Sequence, residues 1–82
     1  MHFKTLLKKL KQDDDVQDLR KWAFSVSNST LYRLMKIYND DHGRPIIWHD
    51  NGVFGVEIET SVSIFVTRIN SSSVMDVNKY PK

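Results

Sequence analysis

The chain has 82 residues, of which 40% are hydrophobic and 27% charged, and its formal net charge is +2. This length provides one domain with one hydrophobic core, and the composition is that of a folded chain. The absence of cysteine excludes disulfides and thiolate metal sites and fits a reducing compartment, so we expect a cytoplasmic protein. No apolar run approaches the ~20 residues of a membrane span, and we expect no membrane-spanning segment.

The N-terminal half predicts amphipathic helices. Residues 2–11 carry apolar side chains at i, i+3, i+4 and i+7, the spacing of one helix face: Phe3, Leu6, Leu7 and Leu10. A second helix is expected from about Asp14 to Phe24, with Asp13 or Asp14 as its N-cap. Its inward stripe is Val16, Leu19 and Ala23, widened by Trp22 or Phe24.

A third helix is expected from about Ser29 to Asn39. Its apolar stripe has the same spacing and comprises Leu31, Leu34, Met35 and Tyr38. The following Asn39–Gly43 segment is typical of a helix end, with Gly43 as the left-handed residue. Arg44-Pro45 then prevents the helix from continuing.

The C-terminal half predicts strands. Residues 46–49 and 53–58 flank the Asp50-Asn51-Gly52 turn, and Asn-Gly is typical of a type I′ hairpin. A third strand, Val62–Ile69, has apolar residues on both faces and is expected to lie centrally. Asn70–Ser73 is expected to end the sheet, and residues 74–82 form either an edge strand or a tail, which Pro81 favours.

These elements predict an α+β fold with three N-terminal helices and a three-stranded antiparallel meander. Residues 1–73 would form a single compact domain, with 74–82 as its tail or edge strand. The sheet would leave edges with which a second copy could pair, so a homo-oligomer is one expectation.

The residue types that carry catalysis are not in catalytic patterns. His2, His42 and His49 lack helical i, i+4 spacing, and no G-x-S-x-G elbow is present. The chain's three glycines, Gly43, Gly52 and Gly55, lie in turns and a strand, not in a phosphate-binding loop. We therefore expect a protein without enzymatic activity, metal, cofactor or small-molecule substrate.

Charge and aromatic patterns favour binding to another macromolecule. Lys4, Lys8 and Lys11 form a basic helix face next to the acidic run Asp13–Asp15. Strand alternation places Trp48 opposite Ile47 and His49, where an exposed indole would contact a partner; packing against a helix is the alternative. The residues predicted to bind a protein partner are Lys4, Lys8, Lys11, Arg33 and Trp48.

One segment favours DNA as the alternative partner. Residues 26–34, Val-Ser-Asn-Ser-Thr-Leu-Tyr-Arg-Leu, resemble the turn and recognition-helix start of helix-turn-helix proteins. In a winged-helix arrangement the Asp50-Asn51-Gly52 turn would be the wing. The resemblance implies groove contacts by Asn28, Ser29, Tyr32, Arg33 and Lys36. Asp50, Glu57 and Glu59 depart from that pattern, because carboxylates repel phosphates.

The chain as a whole resembles the cytoplasmic rapid-lysis accessory proteins of T-even bacteriophages. The resemblance covers the full length and lies in the size, the lack of cysteine, the basic start Met1–Leu10 and the α+β layout. It implies lysis inhibition in the host cytoplasm by an antiholin that binds the cytoplasmic segment of the phage holin. It assigns no functional residue.

Overall fold

A computed structural model describes residues 2–13, 15–70 and 74–82. The described elements, in chain order, are α1 (Phe3–Asp13), α2 (Val16–Ser25), α3 (Asn28–Met35), β1 (Ile47–Asp50), β2 (Val53–Glu59), β3 (Ser63–Ile69) and β4 (Val74–Pro81). The α+β class and the N-terminal position of the helices are confirmed. The predicted count of three strands is wrong, because β4 adds a fourth strand to the sheet.

The sheet is an antiparallel meander in the order β1-β2-β3-β4. The β1–β2 connection is a two-residue turn in which Asn51 and Gly52 have φ angles of 49° and 81°. Both positive angles are required by the type I′ turn that the Asn-Gly pair predicted. The predicted central position of β3 is also confirmed, since it pairs with β2 on one side and β4 on the other.

Strand β4 forms although it contains a proline. The Lys82 N–H donates to the Val62 carbonyl at 3.0 Å, which establishes the bonding register with β3. Because alternate residues of an antiparallel strand bond to the same neighbour, Pro81 directs its missing donor away from the sheet. An edge strand tolerates proline there, so Pro81 does not produce a tail. Residues 71–73, in the segment expected to end the sheet, lie outside the described residues.

The helices cover one face of the sheet. Helix α2 packs on β3 and β4, α3 packs on β1, and α1 packs on α2. The Phe3 ring joins these parts, with its centroid 4.9 Å from that of Trp22 and 4.7 Å from that of Tyr38. Among the described residues, the buried hydrophobic core consists of Phe3, Leu6, Leu10, Leu19, Trp22, Ala23, Leu31, Ile47, Phe54, Val56, Ile58, Phe65 and Ile69.

The helix boundaries differ from the predicted ones through local capping. Asp15 caps α2, where its Oδ1 accepts the Gln17 N–H at 2.9 Å. Of the two predicted caps, Asp13 is the last residue of α1 and Asp14 lies outside the described residues. Trp22 completes the inward stripe of α2, whereas Phe24 is 65% exposed.

Helix α3 is shorter than predicted and ends at Met35 instead of Asn39. Lys36 caps it, and the Tyr38 N–H still reaches the Leu34 carbonyl at 3.1 Å. Gly43 has the expected positive φ of 78°, but it lies in the turn that follows Asp40 and not at the helix end. The Asn39–Gly43 segment is therefore a separate loop.

Trp48 lies on the sheet face that the helices leave open. Its neighbour Ile47 is fully buried beneath the helices, so alternation directs the indole to the opposite face. There it lies across Gly55, its cross-strand partner on β2. An aromatic ring that covers a strand glycine replaces the packing that glycine lacks. The indole is consequently half-buried, neither packed against a helix nor fully exposed.

We predict that Gly55→Ala destabilises the fold by about 1–3 kcal/mol, the usual range for overpacking. A Cβ at Gly55 would overlap the indole carbons Cε2 and Cζ2 of Trp48. Urea unfolding monitored by circular dichroism measures the loss. In a Trp48→Ala background the same glycine substitution should cost little, and an equal cost in both backgrounds would contradict this packing.

The β2–β3 connection depends on a buried hydroxyl. Thr60 Oγ1 accepts the N–H groups of Ser63 at 3.0 Å and of Val62 at 3.3 Å. We predict that Thr60→Val lowers the free energy of unfolding by about 1–3 kcal/mol, because a buried donor loses its acceptor. Thr60→Ser retains the hydroxyl and is the control. Equal losses in the two variants, measured by urea unfolding, would show that the methyl group and not the hydroxyl matters.

Candidate functional site

The five residues predicted to bind a protein partner do not form one surface. Lys4, Lys8 and Lys11 are exposed on one side of α1, and Arg33 is exposed on α3. Trp48 lies on the other side of the sheet from these helices. A single flat contact cannot include both Trp48 and the lysines, because the sheet separates them.

The residues predicted to contact DNA are not all available to it: Tyr32 packs against the protein, and the others differ in their exposure. The Tyr32 ring packs edge-on against Phe54, with centroids 4.8 Å apart, and its Oη lies 3.4 Å from His49 Nε2. Tyr32 therefore attaches α3 to the β1–β2 hairpin. Arg33, Lys36 and Ser29 are exposed, while Asn28 is half-buried. Helix α3 has only eight residues, and Lys36 is its C-cap.

A groove of about 860 Å³ lies between the loop that follows α3 and the edge of β2. Its apolar side chains come from α1, from this loop and from the sheet: Leu7, Tyr38, Ile46, Ile58 and Ile64. Its acidic and basic side chains are Lys11, Asp40, Asp41, His42, Arg44, Glu57, Glu59 and Lys82. The groove therefore combines apolar, acidic and basic side chains in one place.

The outer wall of the groove is a loop organised by Asp40. Asp40 Oδ1 accepts the N–H groups of His42 and Arg44, both at 2.8 Å, and the Asp40 N–H donates to the Arg44 carbonyl at 2.8 Å. The hydrogen bond from the Arg44 N–H is the main cause that holds the pKa of the Asp40 carboxyl below its ordinary value. The bond from His42 acts in the same direction, while desolvation opposes it.

The opposite wall is a stretch of β2 that β1 does not cover. The Glu57 N–H donates to the Ile46 carbonyl at 2.9 Å, but the Ile46 N–H donates to the Tyr38 carbonyl at 3.3 Å. Strand β1 therefore stops, and β2 extends beyond it from Glu57 to Glu59.

The charges at this wall are partly paired. Lys82 Nζ lies 2.6 Å from Glu59 Oε1, and its hydrogen bond is the main cause of the lowered pKa of the Glu59 carboxyl. Arg44 Nε lies 3.8 Å from Asp40 Oδ2. Within residues 2–13, 15–70 and 74–82, no salt bridge joins Asp41 or Glu57 to a cation. Two groove carboxylates are thus available to a ligand.

The sequence patterns do not indicate this groove. They place Asn39–Gly43 at a helix end and predict for Glu57 and Glu59 only that their carboxylates would repel phosphates. The signal that could have found it is the position of Pro45, which limits β1 to fewer residues than β2. A strand that extends beyond the end of its neighbour exposes backbone N–H and C=O groups at the sheet edge.

The described residues contain neither a cluster of potential metal ligands nor a membrane-spanning helix, and the chain matches no known protein in three comparisons. In the described part of the chain, no group of three or more His, Asp or Glu side chains could hold a metal ion. No helix among these residues is long and apolar enough to cross a membrane. Comparison with protein-family models, with curated proteins and with solved structures finds nothing similar to the chain.

We predict that acidification loosens the Asp40 loop. Because folding lowers the pKa of Asp40, this group stabilises the fold above its ordinary pKa of 3.8, and the contribution is lost as the pH falls through the folded value. Asp40→Asn keeps the Oδ1 acceptor but does not ionise. The wild type should lose more stability than Asp40→Asn between pH 7 and about pH 2 in urea unfolding. NMR titration that places the Asp40 pKa at or above 3.8 would contradict this.

Proposed function

We propose that this protein is a small regulator that acts by binding another protein. The observation that carries the proposal is the groove beside Glu57–Glu59, which combines an apolar floor with carboxylates and bases on its rim. Protein interfaces combine an apolar centre with a polar rim, and complementary charges select the partner. The uncovered strand edge adds backbone groups that a polypeptide can pair with.

The most concrete form of this proposal is an antiholin that inhibits lysis in the host cytoplasm. Its support is the resemblance to the rapid-lysis accessory proteins of T-even bacteriophages, which implies the cytoplasmic segment of the holin as partner. A short charged segment suits a groove whose rim carries both signs. The antiholin proposal depends on the resemblance, because the groove by itself would accept other peptides of similar charge.

DNA binding is the alternative, and it has weaker support. Arg33 and Lys36 are exposed on α3, which favours it. Tyr32 packs on the hairpin and is only partly available for a groove contact. Asp50 is exposed next to the turn that would be the wing, where it would repel phosphates.

The test is the capture of a synthetic peptide of the holin's cytoplasmic segment at low salt. The wild type should retain the peptide, and Glu57→Lys should weaken binding by about tenfold, because it reverses a groove charge. Asp50→Lys makes the same charge change outside the groove lining and is the matched control.

The possible results distinguish an antiholin from a non-specific charge effect and from a DNA-binding protein. A wild-type protein that captures no peptide at low salt would overturn the antiholin form. Equal losses in Glu57→Lys and Asp50→Lys would show an effect of net charge and not of the groove. Binding to duplex DNA that weakens with salt and is lost in Arg33→Ala would favour the alternative.

A further inference from the structure

We infer that the groove takes its partner as an added β-strand, an extended segment in which basic residues alternate with apolar ones. The segment would pair its backbone with β2 at Glu57–Glu59. This inference rests on the proposed function, because it specifies how a protein partner occupies that groove. It adds the geometry and the sequence pattern of the partner.

The backbone of β2 has hydrogen-bonding groups directed into the groove. The Thr60 N–H donates to the Ser63 carbonyl at 2.8 Å, so the even-numbered residues at this end of β2 bond to β3. Glu57 and Glu59 therefore direct their N–H and C=O groups to the other side. The Glu57 N–H already bonds to Ile46, which leaves the Glu57 carbonyl and both backbone groups of Glu59.

Among the described residues, the segment before β1 does not bond to these three groups. The Ile46 N–H, which an extended β1 would direct at the Glu57 carbonyl, bonds to Tyr38 instead. The Arg44 carbonyl, the next acceptor along that wall, receives the Asp40 N–H at 2.8 Å. An unpaired strand edge of this kind is a template for an incoming strand.

The two faces of the sheet determine the side-chain pattern of the added strand. Ile46 occupies the position opposite Glu57, so the residue of the added strand opposite Glu59 would lie on the open face, beside the Glu57 and Glu59 carboxylates. The residue opposite Ile58 would point to the helix side, where Leu7 and Tyr38 contribute apolar surface. The expected pattern is an alternation of basic and apolar residues, with the apolar residue opposite Ile58 and a basic residue opposite Glu59.

The charge of the groove supports a basic segment. The lining contains the carboxylates Asp40, Asp41, Glu57 and Glu59 against the permanent cations Lys11, Arg44 and Lys82. Two of these cations are engaged, Arg44 with Asp40 and Lys82 with Glu59. The groove therefore attracts a basic strand and repels an acidic one.

The other edge of the sheet is protected in a different way. On β4, Pro81 removes an outward donor and Lys79 places a charge on the edge, both of which discourage strand addition. On β2, neither proline nor lysine occurs from Glu57 to Glu59. Glu57 and Glu59 discourage only acidic strands, so this edge selects its occupant by charge.

The experiment uses the full chain, labelled with ¹⁵N, and the blocked peptide acetyl-Lys-Val-Arg-Val-Lys-amide. NMR titration should shift the Glu59 amide resonance and slow its hydrogen exchange. A peptide with the same side chains but N-methylated at its backbone should bind about tenfold more weakly, because it cannot donate the strand hydrogen bonds. The acidic peptide acetyl-Glu-Val-Glu-Val-Glu-amide should not bind at the same concentrations.

A matched pair of variants tests the same hydrogen bond from the protein side. Glu59→Gln and Glu59→Pro both lose the carboxylate, but only the proline variant loses the backbone N–H. Peptide binding should be about fivefold weaker in Glu59→Pro than in Glu59→Gln. If Glu59→Pro does not fold, the wild-type titration with the N-methylated peptide still decides.

Three results would overturn the inference. Equal affinity for the methylated and unmethylated peptides would show that side-chain charge alone binds them. Resonance shifts confined to the α1 lysines or Trp48, or no binding at all, would exclude this edge. Slow exchange at Glu59 without peptide, increasing with protein concentration, would identify a second copy as the occupant. The capture of the holin peptide tests the proposed function separately, so a failure here leaves that proposal standing on its own result.

Discussion

The contact between Phe3, Trp22 and Tyr38 connects the parts of this protein on which the groove depends. The Phe3 ring lies within 5 Å of the other two ring centroids and so joins α1, α2 and the loop after α3. It holds Tyr38 where the tyrosine carbonyl can accept the Ile46 N–H. That bond diverts the Ile46 N–H from the β1–β2 ladder, while the Ile46 carbonyl still accepts the Glu57 N–H, and β1 stops before it reaches the end of β2. A core contact therefore shapes a surface feature.

The helix layer also determines what each sheet face does. Its three helices pack on one face, where the buried residues of β2 and β3 form most of the sheet's share of the core. The other face has no covering layer among the described residues and is stabilised locally. Trp48 lies over Gly55, and Arg68 makes a salt bridge with its cross-strand partner Asp76. These pairs protect strand backbone without creating a second core.

Much of the fold was predictable because its signals are local. Helical spacing identified the stripes of α1 and α2, and Asn51-Gly52 identified the hairpin, since both depend on residues close together in the chain. Strand alternation suggested the open face for Trp48 but left packing against a helix as the alternative, and only the structure places the indole over Gly55. Helix ends were less predictable. Helix α3 ends at Met35 because Lys36 caps it and the following residues form the loop organised by Asp40. Hydrophobic spacing alone does not show where such a cap ends a helix.

The sequence by itself determined the class of the fold, the order of its elements and the inward faces of its helices, because hydrophobic periodicity encodes them. Only the tertiary structure decided that residues 74–81 are a strand, since pairing with β3 outweighs the proline at its end. The groove is also formed only by the tertiary structure. It joins Lys11, Asp40, Glu57 and Lys82, which are far apart in the chain, and no local pattern records which distant residues become neighbours.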